Sequence, residues 1–356
     1  MANVGSKARE CLVYTACSLQ LPVDSVSRVD SRETARQKMF AKLNHIGAKV
    51  NGAKSWVGES LKLVVLPEYI LTSFPQGEGI AEWADKAAID IDGPEYEQLG
   101  EIAQSNGIYL AGNAYETDPH FPEFYFQTCF ILSPSGNVIL RYRRLNSMFA
   151  PTPYDVWDKY LDIYGLDGVF PVADTEIGML AAIASEEILF PELSRCFSMR
   201  GAEVFTHSSS ELSGPFQSIK DAAKICRASE NLCYVVSSNT AGILNTSLPS
   251  GSADGGSRII NYRGEVLRIS GSGENITATA ELDLVALRRE RRKTGLGNTF
   301  SRQRFQAYAD SYNNFSFQNA NGLLNKDGSL KEPSRQYFLD SQKETLYRLQ
   351  NNGTIS

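Results

Sequence analysis

The sequence predicts an α/β protein, built as a four-layer αββα sandwich with two similar halves and a C-terminal arm. Segments of strand and helix character alternate, and the order β-α-β-α-β-β occurs twice along the chain. The chain has 356 residues, 42% of them apolar, which is enough to bury a large core. Helices that cover two sheets leave one apolar face on each sheet, and these faces are buried when the sheets pack together.

The first half of the pattern begins with an apolar, β-rich segment over residues 11–21, followed by helical spacing over 32–48. The run LKLVVLPEY (61–69) is continuously apolar, which is typical of a strand buried on both faces. The segment 93–107 predicts a helix, with proline near its start and Asn-Gly at its end. A further strand is predicted over 108–116.

A hairpin is predicted next, over residues 124–145. Two strand-like runs flank SPSGN (133–137), which supplies the residue types that a tight reversal requires. The following segment, 146–168, is aromatic, contains proline and carries no clear strand pattern. Long ordered loops in compact domains usually have a function or act as packed lids, so we expect this insert to cover a site.

The second half repeats the same order of elements. The predicted strands, helices and hairpin are, in chain order, 176–184, 190–201, 202–209, 216–230, 232–242 and 257–270. We therefore assign residues 8–290 to one main domain and residues 291–356 to a C-terminal extension with a short helix over 336–350. The extension is charged and polar, and we expect it to be an oligomerisation arm or a surface extension rather than a separate domain.

Composition and charge exclude several classes of protein. The net charge is −6 and aromatic residues do not alternate with a basic stripe, so nucleic acid is not an expected partner. No apolar run reaches about 18 residues and the N-terminus lacks an apolar signal segment, which predicts a cytoplasmic protein without a membrane partner. The six cysteines lack metal-ligand spacing and are predicted to be reduced and mostly buried. Neither a metal nor an organic cofactor is implied, since the glycine-rich loop at 251–257 lacks the lysine of a phosphate-binding loop.

Three chemically different side chains stand at the ends of predicted strands. These are Glu68, Arg144 and Ser185. Reactive groups of α/β proteins gather where strands terminate, so an acid, a cation and a hydroxyl are expected to share one pocket. Each also has a structural explanation, because Glu68 can cap a turn, Arg144 can form a surface salt bridge and Ser185 can cap a helix.

Taken together, these residues and their neighbours resemble a known family. The motifs LPEY (66–69), RYRRL (141–145) and ASEEILFPELSR (184–195) are similar to those of the nitrilase, or carbon-nitrogen hydrolase, superfamily. The resemblance extends over roughly residues 10–290 and implies a four-layer αββα sandwich. It also implies a Glu-Lys-Cys triad that attacks amides or nitriles. Glu68 matches the glutamate, whereas Arg144 stands in place of the lysine and Ser185 in place of the cysteine.

The resemblance implies further site residues and an assembly. PTPYD (151–155) resembles the P-T-x-x-E segment of nitrilases, which makes Asp155 the expected supporting acid. The side chains expected to contact a small-molecule substrate or ligand, or to cover its pocket, are Tyr69, Glu186, Glu187, Tyr154, Trp157 and His207. A structural, hydrogen-bonded role for His207 is the alternative. Members of the superfamily assemble through helices near the reactive elbow, so at least a homodimer is expected.

Three functional hypotheses are compatible with these residues. In the first, an altered Glu-Arg-Ser triad hydrolyses a small amide-like or nitrile-like substrate, although a serine hydroxyl is far less acidic than a thiol. In the second, Glu68 and Asp155 perform acid-base catalysis without a covalent step. In the third, the protein is a catalytically silent pseudoenzyme that binds a small polar ligand or acts as a scaffold.

Overall fold

The computed structural model describes residues 12–122, 124–212 and 217–356. Its strands are β1 (Val13–Ser18), β2 (Val23–Asp24), β3 (Leu61–Val65), β4 (Tyr109–Thr117), β5 (Tyr125–Leu132), β6 (Val138–Arg143), β7 (Ala173–Thr175), β8 (Gly178–Ala184), β9 (Val204–Ser208), β10 (Tyr234–Ser238), β11 (Ile243–Leu244), β12 (Arg258–Ile260), β13 (Val266–Ile269) and β14 (Thr279–Asp283). Its helices are α1 (Arg32–Val57), α2 (Ile80–Ala87), α3 (Pro94–Asn106), α4 (Trp157–Val169), α5 (Pro191–Met199), α6 (Ile219–Asn231), α7 (Leu284–Arg292), α8 (Phe305–Asn313) and α9 (Arg335–Asn351).

Two six-stranded sheets have the same internal arrangement. The first has the order β14-β1-β3-β4-β5-β6, and the second, read in the matching direction, has the order β7-β8-β9-β10-β12-β13. In each sheet the second, third and fourth strands are parallel, the first and fifth strands pair antiparallel with them, and the sixth pairs antiparallel with the fifth. The doubled order of elements in the sequence therefore corresponds to two halves with one topology, and the predicted αββα sandwich is confirmed.

The apolar core lies between the two sheets and beneath the helices. Leu63 and Val65 of β3 belong to the same buried cluster as Phe205 of β9 and Val235 of β10, which places them between the sheets. Val64 belongs instead to the cluster that contains α1 and α3. Side chains alternate across a strand, so both faces of β3 are buried, which explains why its sequence is apolar without interruption.

Some elements differ from the sequence prediction. Helix α1 continues to Val57 rather than ending at 48, because Val50 and Ala53 remain buried and the helix stops only at Gly58, whose φ is 87°. The insert that was expected to be a loop contains helix α4. Tyr160 and Val169 of this helix are buried with Phe121 and Phe126 in a separate aromatic cluster. This packing stabilises a helix that the proline and glycine residues of the sequence argue against.

The C-terminal segment packs on this insert. Phe338 of α9 and Leu323 are buried in the same aromatic cluster as Val156 and Tyr160 of the insert. Helix α9 begins behind Ser334, whose hydroxyl accepts a hydrogen bond from the backbone N–H of Tyr337. The segment is therefore part of the folded unit that surrounds the insert, and its role in oligomer assembly stays a prediction. Among the helices of the described ranges, none has the length and apolar character needed to cross a bilayer.

Candidate active site

Ser185 lies at a strained bend between β8 and a 3₁₀ helix over Ser185–Leu189. Its φ is 46°, in the left-handed region that non-glycine residues seldom adopt. Such strain persists where the surrounding structure enforces it, often at a functional site. The side chain is 6% exposed and its hydroxyl has no hydrogen-bond partner among the described residues. A buried bend thus presents a hydroxyl that is free to react or to bind a ligand.

His207 forms a hydrogen bond with the backbone of this bend. Its Nε2 lies 2.7 Å from the carbonyl oxygen of Ser185, and its Nδ1 lies 2.8 Å from Oγ of Ser237. Since the carbonyl can only accept, Nε2 carries the proton and Nδ1 accepts from the hydroxyl. Burial lowers the pKa of His207 to about 3, so the imidazole is neutral at physiological pH. The side chain does not line the pocket that Ser185 faces, which agrees with the structural alternative for this residue.

Glu68 follows β3 and is fully buried. Its Oε1 accepts a hydrogen bond from Nε2 of Gln127 at 2.7 Å, and its Oε2 accepts one from the Ser210 hydroxyl at 2.7 Å. Nη1 of Arg144 lies 3.8 Å from Oε1. Burial raises the pKa of neighbouring Tyr69 well above its ordinary value, and the charge of Glu68 raises it further. The carboxylate is therefore oriented by two neutral donors and paired with one cation.

Arg144 comes directly after β6 and connects the acidic groups of the site. Its Nε donates to the carbonyl of Asn146 at 2.8 Å, and Nη1 donates to Oε1 of Gln127 at 2.8 Å. Nη2 forms an ion pair with Glu186. A guanidinium has five N–H donors in a planar fork, so donors remain for a ligand oxygen after these three bonds.

A cavity of about 370 Å³ joins these groups. Its polar wall contains Gln127, Arg144, Ser185 and Glu186. Glu68 does not line the cavity and contacts Gln127 and Arg144 of this wall. The apolar wall is formed by Tyr69, Phe74, Ile80, Tyr115, Tyr125, Met148 and Phe149, among others. The structure thus brings the predicted cation and hydroxyl to one cavity, with the predicted acid paired to the cation. Mostly apolar clefts with a few convergent polar groups are typical of small-molecule sites.

Other predicted site residues lie elsewhere. Oδ2 of Asp155 caps the local 3₁₀ helix, since it accepts from the backbone N–H and the hydroxyl of Thr152 at 2.9 and 2.7 Å. Oδ1 accepts from the Tyr337 hydroxyl of α9 at 2.9 Å. Asp155 lines a neighbouring cavity of about 380 Å³, and the structure does not bring it to Glu68. Tyr154 and Trp157 pack against each other, 5.6 Å between ring centroids, away from the cavity that contains Ser185.

Glu187 is fully buried. Its carboxylate accepts hydrogen bonds from the Tyr142 hydroxyl and from the backbone N–H groups of Leu145 and Asn146, at 2.7 to 2.9 Å. Burial raises the pKa of Glu187 to about 7, and Arg144 and these donors oppose the rise. This acid ties the bend after Ser185 to the residues that follow Arg144, so its described contacts are structural.

The buried position of Glu187 predicts a dependence of stability on pH. Its pKa is about 7 in the folded protein against an ordinary 4.5, so the folded state retains a proton that the unfolded chain has lost between these values. Stability therefore falls as pH rises through this window, by up to about 3 kcal/mol. We expect Glu187→Gln to remove this loss when urea unfolding is compared at pH 5 and pH 8. The exposed Glu101→Gln is the matched control, and equal pH slopes for wild type and Glu187→Gln would contradict the assignment.

Sequence reasoning missed two groups that position Glu68. Gln127 lies within β5, where the apolar pattern predicted only a strand. Ser210 follows β9, so its place after a strand end was an available signal. Nothing in the sequence pointed to Arg335, which lines the same cavity from the start of α9. No cluster of three or more potential metal ligands occurs in the described ranges.

Comparisons with known proteins agree with this architecture. Two matching sheets in an αββα sandwich, with an acid, a cation and a hydroxyl at strand ends, match a nitrilase-type fold. The chain belongs to the carbon-nitrogen hydrolase family, whose model matches residues 19–292.

Among related proteins, a formamidase of Helicobacter acinonychis is 26% identical over 250 residues, covering 69% of this chain and 67% of the formamidase. A formamidase of Bacillus cereus is 27% identical over 248 residues, covering 68% and 67%. Saccharomyces cerevisiae Nit3, of the nitrilase superfamily, superimposes with a TM-score of 0.63 at 22% identity, over 82% of this chain and 97% of Nit3. A mutant amidase from Nesterenkonia sp. AN1, in complex with butyramide, gives 0.57 at 18%, over 83% and 96%.

Proposed function

We propose that this protein hydrolyses the carbon–nitrogen bond of a small amide, with Ser185 as the nucleophile. The observation that carries the proposal is the free Ser185 hydroxyl on a strained bend, facing a cavity that Arg144 also lines. Arg144 is in turn paired with the buried carboxylate of Glu68. A nucleophile, a cation and an acid are the components that acyl transfer requires.

The residues take the following roles. Oγ of Ser185 attacks the amide carbonyl carbon while its proton is transferred to Glu68. Arg144 and the backbone N–H of Glu186, at the start of the 3₁₀ helix, stabilise the oxyanion, since the first N–H groups of a helix have no intrahelical acceptor. Glu68 then protonates the leaving nitrogen as the C–N bond breaks and an acyl ester forms. Water, deprotonated by Glu68, hydrolyses the ester and releases the acid.

Serine and arginine impose limits on this chemistry. An alcohol must lose its proton as it attacks, whereas a thiol with a pKa of about 8.5 is partly ionised beforehand. Arginine retains its charge at all relevant pH values, so it can stabilise an oxyanion but cannot relay a proton. Amides are the favoured substrate class because the related proteins include formamidases and an amidase crystallised with butyramide.

Trapping of the acyl-enzyme tests the proposal. The protein is mixed with butyramide, quenched in acid and analysed by intact-mass spectrometry, and we expect a mass increase of one butyryl group. Ser185→Ala should show no adduct and no ammonia release. Ser185→Cys provides the matched variant, and its more acidic nucleophile should acylate faster. Full turnover or an unchanged adduct in Ser185→Ala would rule out the serine mechanism.

A second function, ligand binding without catalysis, is favoured by one specific contact. Glu186 is ion-paired with Arg144, so one of the donors assigned to the oxyanion is already engaged by the protein. In a site that has lost its catalytic activity, such an ion pair would stabilise the pocket for a small polar ligand. Thermal stabilisation by a metabolite, without turnover of any member of an amide and nitrile panel, would favour this function.

A further inference from the structure

Arg335 brings a positive charge to the mouth of the cavity from outside the family-matched region. The family match ends at residue 292, whereas Arg335 is the first residue of α9. Its guanidinium carbon lies 5.0 Å from the centroid of the Phe149 ring, and both side chains line the cavity that contains Ser185. Stacking on an aromatic ring orients a guanidinium without neutralising its charge.

The charge of Arg335 is not balanced by a carboxylate among the described residues. Glu78 also lines the cavity, but its Oε2 accepts from the backbone N–H of Gln76 at 2.8 Å and its Oε1 lies 3.6 Å from Nζ of Lys86. Arg335 and the exposed Arg28 line an adjoining cleft. Two guanidinium groups without an acidic partner in the described ranges therefore line the cleft that adjoins the cavity, and Arg335 lines both.

The inner end of the cavity has the opposite character. Glu68 and Glu186 share the single cation Arg144, so the acids there outnumber the cations. An anionic group would be repelled from the inner end and attracted to the entrance. A neutral amide has no such conflict beside Ser185. A ligand that is neutral at one end and anionic at the other matches this polarity.

We propose that Arg335 binds a carboxylate at the far end of the substrate, and that the substrates are small amides that carry such a group. This assignment rests on the proposed amide hydrolysis for the orientation of the substrate. The planar fork of arginine matches a carboxylate with two parallel hydrogen bonds. Arg335 acts in this way as a specificity residue, supplied by the C-terminal segment rather than by the hydrolase domain.

The test compares matched pairs of ligands by calorimetry. Monoamides of the four-, five- and six-carbon dicarboxylic acids are titrated into the Ser185→Ala protein beside the corresponding diamides, which are neutral. We expect a monoamide of at least one length to bind about tenfold more tightly than its diamide. Arg335→Gln in the same background should remove this preference, Arg335→Lys should retain part of it, and the exposed Arg289→Gln of α7 should leave it unchanged.

The outcomes separate this inference from the proposed function. A preference for no monoamide, whether through equal binding or through none, overturns the assignment of Arg335, as does a preference that survives Arg335→Gln. Turnover by the wild type is measured independently with the same ligands and with butyramide. A preference for the carboxylate ligand without turnover would support the assignment of Arg335 and contradict the serine mechanism. Acylation by butyramide without such a preference would support the serine mechanism and contradict the assignment of Arg335.

Discussion

Arg144→Met is expected to reduce amide turnover by about a thousandfold or more, because it removes the cation to which we assign stabilisation of the oxyanion. The substitution also leaves Glu68 and Glu186 without their shared partner. Glu68 is fully buried and its uncompensated charge is costly, whereas the Glu186 side chain is 32% exposed and is partly solvated. We therefore expect a loss of about 3 kcal/mol in the free energy of unfolding.

Arg144→Lys separates charge from geometry in the same experiment. Lysine restores the positive charge but lacks the fork that reaches Gln127, Asn146 and Glu186 together. We expect it to recover most of the stability and part of the turnover, measured by urea unfolding and by ammonia release. If Arg144→Met retained more than about a tenth of the wild-type turnover, the oxyanion role would be excluded.

Lys224→Met is expected to produce the largest loss of stability, about 3–5 kcal/mol. Lys224 is fully buried in α6, where it forms an ion pair with Glu211 and lies 3.4 Å from Oδ1 of Asp221. Burial lowers its pKa, while Glu211 opposes the shift. Removal of the ammonium leaves the Glu211 carboxylate without a cation: its Oε1 keeps the Ser209 hydroxyl at 3.2 Å, and its Oε2 has no hydrogen-bond partner among the described residues. Asp221 keeps a partner, since Nη2 of Arg258 lies 2.9 Å from it.

This prediction also concerns the active site. Glu211 follows Ser210, whose hydroxyl donates to Glu68, so a displaced Glu211 carboxylate would disturb the orientation of the base. The double variant Lys224→Met/Glu211→Leu removes both charges, and we expect it to recover at least half of the stability lost by the single variant. A single variant within about 1 kcal/mol of wild type would show that the pair contributes little.

Much of the fold was predictable because it is determined by local patterns. The apolar run of β3 and the doubled element order indicated two buried sheets. Arg144 and Ser185 line one cavity, and Glu68 is paired with Arg144, as expected from their positions at strand ends. Helix α4 was missed because its stability comes from packing against Phe121 and Phe338, which lie far away in the sequence.

Contacts between distant segments account for the remaining differences at the site. Asp155 was assigned from a motif, but the motif does not reveal that its carboxylate is occupied by Thr152 and by Tyr337, 182 positions away. Arg335 could not be predicted as a site residue for the same reason, since it reaches the cavity only through the packing of α9. Sequence spacing identifies residues of the right chemical type, whereas tertiary contacts determine which of them remain available.

The pairing of β14 with β1 has a consequence for the folding of the protein during its synthesis on the ribosome. The sheet that carries Glu68 and Arg144 is completed only by the strand at Thr279–Asp283, which is synthesised after every strand of the second sheet. Until then an edge of β1 and the sheet face that will meet the second half are exposed, and such surfaces attract chaperones or other nascent chains. Shortened translation products that lack β14 should therefore be recognised by protein quality control, because the edge of β1 stays unpaired in them.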